Sequence, residues 1–247
     1  FRQTAFEGAG ELYKIPIVYE DNHMLVVDKP PNLLSQKDSS GDMDLLTLLK
    51  EDLKIRYNKP GNVYLGLVHR LDRPVGGIMV LAKTSKCAAR LSEQLRNRDF
   101  NKTYIALIYG RPDKPKSTLV HYLIKDEKSN RVFSVQKGLP GAKEAVLDYE
   151  VLACNSNLSL VKVNLLTGRP HQIRVQFATL GHPLYGDYRY GPKKQRQNLP
   201  LGLWACEVSC LHPITKERMN FYSLPTNQEP WSKFPLPSLL KHLTSSK

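Results

Sequence analysis

Between Val68 and Gly77 a single carboxylate, Asp72, stands between Arg70 and Arg73 and is followed closely by Gly76 and Gly77. Two neighbouring guanidinium groups favour the ionised carboxylate, which suits a nucleophile or a base and not an acid. The paired glycines allow another backbone, or a ligand, to approach closely. The competing reading is a structural Arg–Asp pair that holds a turn.

A second group lies from Thr167 to Gln176. Pro170 is expected to open a short helix that runs to Leu180, with His171 and Arg174 on one face and Ile173, Phe177 and Leu180 toward the core. Gly168-Arg169 ahead of that helix makes its N-terminus a ready anion site. Left to itself, the same pattern also fits a solvated polar face. A third group is Asn101-Lys102-Thr103-Tyr104, where a strand follows a helix. An aromatic ring beside a lysine suits stacking on a base next to a phosphate contact, although a lone strand tyrosine is more often core.

The charge balance gives these groups a direction. Lys plus Arg number 36 against 23 for Asp plus Glu, a net +13, which favours a polyanion such as a nucleic acid backbone. No apolar run approaches the ~18 residues of a membrane-spanning helix, and no secretory segment opens the chain, which begins at Phe1. A cytoplasmic setting is the default expectation, with a mitochondrial one open. The four cysteines make no disulfide framework. Leu203 to Leu211 reads as a strand with Trp204, Cys206, Val208 and Cys210 on one face. Two thiols four residues apart on a strand are separated by roughly 13 Å, too far to share one zinc, so they read as small core side chains and no metal is expected.

The elements that must carry these groups follow from periodicity. Residues 1–14 show no apolar pattern and are expected to form an arm. Ile17–Tyr19 and Met24–Val27, split by Glu20-Asp21-Asn22, suggest a hairpin stopped by Lys29-Pro30-Pro31. Asp42 to Tyr57 reads as a helix with Leu45, Leu48, Leu49 and Leu53 on one side, and Ser85 is expected to cap a second helix to Arg98 over Cys87, Ala88, Leu91 and Leu95. Val63–Val68, Ile78–Ala82 and Thr103–Tyr109 read as strands. Residues 112–143 read as an exposed excursion with one strand at Arg131–Val135. Alternation at Leu147, Tyr149 and Val151 and at Val161, Val163 and Leu165 predicts two antiparallel neighbours. A basic loop, Lys193-Lys194-Gln195-Arg196, precedes the 203–211 strand, and prolines at 225, 230, 235 and 237 mark a tail over the surface. Many antiparallel strands with a few helices make the class α+β.

Taken together, the three groups resemble a known family. His69-Arg70-Leu71-Asp72-Arg73 with Gly76-Gly77 resembles the signature of the RluA-type pseudouridine synthases, whose invariant aspartate corresponds to Asp72. Lys102-Thr103-Tyr104 looks like the family's second motif, and Gly168-Arg169-Pro170-His171-Gln172-Ile173-Arg174 like its third. Gly181-His182-Pro183, Tyr185-Gly186-Asp187 and the stretch from Tyr19-Glu20-Asp21 to Lys29-Pro30 are similar too. The resemblance runs over residues 15–224, expected as the catalytic domain, with 225–247 as a tail. It departs at Pro74-Val75-Gly76, where many members carry an acidic or small residue and then Thr-Ser; the change bears on loop conformation and substrate choice. Residues 1–14 are expected to be too short for the small RNA-binding domain that often precedes this domain.

The resemblance implies a pseudouridine synthase fold, a mainly antiparallel mixed sheet with flanking helices and a cleft. It implies an isomerase that converts uridine to pseudouridine in ribosomal or transfer RNA, without a cofactor or metal. Asp72, Tyr104 and Arg174 would be catalytic, with Tyr104 against the uracil and Arg174 paired with Asp72. Arg70 would fill the place that the flipped base leaves. His69, Arg73, Lys102, Arg169 and His171 would contact RNA or shape the loops. Nucleophilic attack on sugar or base and removal of a sugar proton all stay open for Asp72. A non-catalytic RNA-binding protein is the alternative; a nucleosidase is disfavoured because that chemistry usually pairs two carboxylates and the loop offers one. A monomer is expected.

Overall fold

The computed structural model describes residues 2–8, 11–192 and 199–239. In chain order its first elements are β1 (Arg2–Gly8), β2 (Glu11–Glu20), β3 (Met24–Lys29), α1 (Leu45–Arg56), β4 (Gly66–Leu67), β5 (Gly76–Ala82), α2 (Ser85–Asn97) and β6 (Asn101–Tyr109). There follow β7 (Lys116–Asp126), β8 (Arg131–Val135), β9 (Lys143–Cys154), β10 (Leu158–Leu165), α3 (Gln172–Thr179), β11 (Leu203–Leu211), β12 (Arg218–Tyr222) and α4 (Leu236–Leu239). The chain divides into two compact units, one of residues 1–101 and 205–224, the other of 102–204 and 225–247.

In the first unit, strands run side by side in the order β1-β2-β3-β5-β11-β12, with β4 also on β5. The expected hairpin is β2–β3, with Ile17 opposite Val27 and a bulge before Tyr19. Residues 2–8, expected as part of an arm, are a strand antiparallel to β2, with Arg2 opposite Ile17. The core joins Met24, Val26, Ile78, Val80, Cys87, Leu91, Phe100, Val208, Cys210 and Phe221. Cys206 and Cys210 are both buried, as the strand pattern required, and burial pushes the Cys210 thiol up to about 12.

Helix α1 buries Leu45, Leu48, Leu49 and Leu53, the expected stripe, and Asp44 caps it by accepting from the Thr47 amide at 3.0 Å. Helix α2 starts one residue off the expected cap. Thr84, not Ser85, accepts from the Cys87 amide, because Thr84 holds the extended backbone that a cap requires. Gln94 was not among the expected core positions. It is buried and pairs both ways with the Leu211 backbone, at 2.8 Å each, as an extra strand residue would.

In the second unit the order is β6-β10-β9-β7-β8. The predicted β9–β10 pair is antiparallel, with Val163 opposite Tyr149. The excursion at 112–143 is more ordered than expected: eleven residues form β7, antiparallel to both β8 and β9. Thr118, His121 and Lys125 among its apolar residues hid the strand. Val63–Val68 yields strand only at Gly66–Leu67. The tail buries Trp231, Phe234 and Leu236. The basic loop 193–196 lies outside the described residues.

Candidate functional site

Asp72 is half-buried on a turn that follows β4 and leads into β5. The Val75 amide closes the turn by donating to the Asp72 carbonyl at 3.0 Å. On the N-terminal side, the buried Ser35 hydroxyl donates to the Leu71 carbonyl at 2.7 Å and accepts from the Leu71 amide at 3.2 Å. On the C-terminal side, Lys29 Nζ donates to the Arg73 carbonyl at 3.2 Å. Both neighbours of the carboxylate are thus tied down by buried side chains, Ser35 from the loop after β3 and Lys29 from the end of β3 itself.

Of the two glycines behind the turn, Gly77 serves a backbone approach. Gly77 has φ +121°, and a Cβ there would lie 2.2 Å from the Ala205 carbonyl oxygen on β11. Only glycine can hold β5 this close to β11.

The basic residues around Asp72 separate into two kinds. Arg70 is exposed and makes no hydrogen bond or ion pair among the described residues. Arg73 bonds Asp42 and, at 3.2 Å, the Asn32 carbonyl, so it anchors a neighbouring loop instead of forming the local pair with Asp72 that was the competing reading. His69 turns into the fold. Its Nε2 accepts from the Val80 amide at 3.0 Å and its ring lies 5.3 Å from that of Phe100.

In the second unit, Tyr104 sits on β6 opposite Val163, with 6% of its surface exposed. Lys102, two residues earlier, is half-buried, and burial draws its ammonium below the ordinary lysine range. A Cβ on Gly168 would stand 3.1 Å from Lys102 Nζ, so this glycine leaves room for the lysine and brings the second and third sequence groups together.

Helix α3 departs from the amphipathic expectation. It begins at Gln172 after His171, which takes a left-handed conformation at φ 51°. Every residue from Gln172 to Phe177 is buried, whereas Leu180, expected in the core, is exposed past the last turn. The polar side is not solvated because it bonds backbone. Gln172 Nε2 donates to the Val146 carbonyl at 3.1 Å, and Gln176 Nε2 to those of Leu119 and Ala145 at 3.1 Å. Gln172 Oε1 accepts the Arg169 amide at 3.0 Å, which occupies part of the expected anion site. Arg169 itself donates from Nε to the Glu144 carbonyl at 2.8 Å.

Arg174 is 4% exposed and bonds Asp187 through two nitrogens, a partner that sequence reading did not supply. Asp187 follows Gly186, whose φ of +71° and approach to the Pro200 carbonyl admit only glycine. Tyr190 completes the group. Its hydroxyl accepts the Val132 amide at 2.9 Å and lies 2.6 Å from His171 Nδ1, and its ring faces the Arg174 guanidinium at 5.2 Å. The other residue to which sequence reasoning gave no role of its own is Lys29, read as the stop of a strand and as the end of a family-like stretch.

A clamped, half-buried carboxylate with an exposed arginine two residues away, in an α+β chain of net charge +13, fits an enzyme that handles a polyanion. The comparisons give the family. The family model described as RNA pseudouridylate synthase matches residues 23–179. The chain is 35% identical over 217 residues to the uncharacterized RNA pseudouridine synthase YhcT of Bacillus subtilis, covering 84% of this chain and 67% of that one. It is 30% identical over 213 residues to ribosomal large subunit pseudouridine synthase C of Vibrio cholerae, covering 84% of this chain and 64% of the relative. This chain thus spans about two thirds of the length of such curated relatives. The solved structure of human RNA pseudouridylate synthase domain containing 4 shares the fold, with a TM-score of 0.71 at 24% identity over 85% of this chain and 88% of that one. The chain belongs to the RNA pseudouridylate synthase family, in its RluA-type branch, and is by family an isomerase acting on RNA.

Proposed function

We propose that this chain isomerises uridine to pseudouridine in ribosomal or transfer RNA, with Asp72 as the catalytic carboxylate. The carrying observation is the setting of Asp72, half-buried on a turn whose flanking residues, Leu71 and Arg73, are both held by buried side chains. A reacting group needs such fixation, since misplacement by about 1 Å can cost on the order of 100-fold in rate. The reaction breaks N1–C1′, turns the base and joins C5 to C1′. Every atom is conserved and no electrons are exchanged, so the proposal includes no cofactor.

The remaining roles rest on the resemblance. Arg174 is assigned to neutralise Asp72 in the complex with RNA, and Tyr104 to pack on the extracted uracil. Extraction costs a few kcal/mol of stacking, and Arg70, exposed and without a partner among the described residues, is suited to fill the gap. Lys102, Arg169 and His171 are assigned to RNA contact. For His69 and Arg73 the observed bonds favour shaping the loops. The name of the Vibrio cholerae relative supports a ribosomal target. A monomer acting in the cytoplasm is part of the proposal.

The test compares wild type with Asp72→Asn on a mixture of unmodified cellular RNAs, scoring pseudouridine position by position. The expected result is modification at discrete sites by wild type, and RNA binding without modification by the variant. If neither protein modifies ribosomal or transfer RNA although both bind it, the protein is an RNA binder and Asp72 a structural residue.

A further inference from the structure

Positive charge is concentrated in the second unit, which holds 19 Lys and Arg against 8 Asp and Glu, a net +11 out of the total +13. Within that unit the turn at 186–191 gathers cations around the Asp187 carboxylate. Arg174, bonded to Asp187, lies over the Tyr190 ring at 5.2 Å, Arg131 lies over it at 5.7 Å, and the charge of Arg189 also acts on Tyr190. Among the described residues, Arg131 and Arg189 donate to backbone alone. Arg131 Nη2 bonds the Arg189 carbonyl and Arg189 Nη1 that of Asn130, and neither guanidinium meets a carboxylate. A guanidinium carries five N–H donors, so both keep donors for an anion.

Tyr188 stands on this turn with its ring turned to solvent, 66% exposed, and its side chain has no partner among the described residues. Its backbone is fixed on both sides. The Tyr188 amide donates to the Gly186 carbonyl at 3.1 Å and the Gly191 amide to that of Asp187 at 2.7 Å. Asp187 Oδ1 takes the Arg189 and Tyr190 amides at 3.0 and 3.1 Å. A polar residue would serve a turn as well and would not forgo the burial that Tyr190 gains nearby. A lone exposed ring on a loose loop needs no explanation. This ring is held on a fixed, cationic turn, one residue from the carboxylate that orients Arg174. An unpaired nucleobase suits such a place, because its face stacks on the ring while its phosphate meets a guanidinium.

We propose that Tyr188 is a stacking platform for one unpaired base that flanks the target uridine, with Arg189 and Arg131 meeting the phosphate beside that base. This role rests on the assignment of the chain as a pseudouridine synthase acting on RNA. It commits the substrate to a uridine in a loop, bulge or single strand, since a base-paired, stacked neighbour offers no free face.

The test uses the full chain and an RNA fragment that carries a uridine modified by wild type. Tyr188→Ala removes the ring, Tyr188→Phe keeps it, and circular dichroism establishes folding. In filter binding, Tyr188→Ala is expected to bind about 10-fold more weakly than wild type and Tyr188→Phe within about twofold. The slope of log affinity against log salt should hold in Tyr188→Ala and fall by about 0.7 in Arg189→Gln, the value for one phosphate contact on a single strand. Abasic residues are then placed one at a time around the uridine. One position is expected to cost wild type about 10-fold and Tyr188→Ala less than about twofold, because one contact cannot be lost twice. That position names the stacked nucleotide. A folded Tyr188→Ala within about twofold of wild-type affinity overturns the inference, as does an equal loss in Tyr188→Phe or a set of abasic losses that add at every position. An unchanged salt slope in Arg189→Gln removes the phosphate contact from it. Wild type that modifies the RNA beside an unaffected Tyr188→Ala removes only this inference, whereas wild type that modifies no RNA removes the proposed function and the stacking role together.

Discussion

Arg174 and Asp187 meet through two parallel hydrogen bonds, Nε to Oδ2 at 2.7 Å and Nη2 to Oδ1 at 2.8 Å, with both side chains buried. Asp187 Oδ1 also accepts the amides of Arg189 at 3.0 Å and Tyr190 at 3.1 Å. The loop after Gly186 is thereby folded around the carboxylate, and the guanidinium is held in one orientation. Removing one partner of a buried pair strands the other charge, at a cost of about 3–5 kcal/mol. Asp187→Ala is therefore expected to lose stability in that range, read from urea unfolding. A loss under about 1 kcal/mol would mean that the pair is solvated and does not orient Arg174.

Much of this arrangement was legible in the sequence, but unevenly. The leucine stripe of α1 and the strand at 203–211 could be read because burial there follows the period of the element. Helix α3 misled because its polar side chains bond strand backbone, so its inner and outer faces carry no contrast in polarity. The roles of Lys29 and Asp187 escaped for a related reason. Charged residues are presumed exposed unless paired, and the partners of these two, the Arg73 carbonyl and Arg174, lie 44 and 13 residues away. Spacing within one motif shows neither partner.

Gly77→Ala tests whether the glycines behind Asp72 serve packing. The new methyl would have to displace the Ala205 backbone from 2.2 Å, at a φ of +121° that alanine rarely adopts. Strain and overpacking together should destabilise the first unit by about 3 kcal/mol or more. The expected readout is a sharply lower urea midpoint or insoluble protein. Near-wild-type stability would show that β11 yields easily and that the glycine is there for RNA.

Stability near Asp28 should depend on pH with an unusual sign. Burial pushes this carboxyl up to about 6, against a bond from Ser223 and the charge of Lys29. Between 3.8 and about 6 the folded state holds a proton that the unfolded chain has lost. Stability is present below the unfolded value and is lost as pH rises through 6, a change of about 2–3 kcal/mol. Glu20 and Asp21 act the other way, because at both burial is outweighed by hydrogen bonds, so the wild-type curve alone mixes the two signs. The difference between Asp28→Asn and wild type isolates the effect. It should grow in favour of the variant from about pH 4 to 6 and level off above. A difference that stays constant would show that Asp28 ionises as an ordinary aspartate.

Lys102 offers the most direct reading of RNA contact. Its ammonium is half-buried against Gly168 and depressed by burial, and no carboxylate bonds it among the described residues. A desolvated cation in that state gains more from an incoming phosphate than a surface lysine does, since less water is displaced on contact and screening is weaker. Lys102→Met keeps the volume and removes the charge. If Lys102 meets a phosphate, the variant should bind RNA about 5–50-fold more weakly at low salt, and the slope of log affinity against log salt should fall by about 0.7–0.9, the value for one lost contact. Thermal stability should hold or rise, because a buried charge has been taken away. An unchanged salt slope with a lower Tm would instead make Lys102 a support for the turn at Gly168, and RNA contact in the second unit would fall to Arg169 and His171.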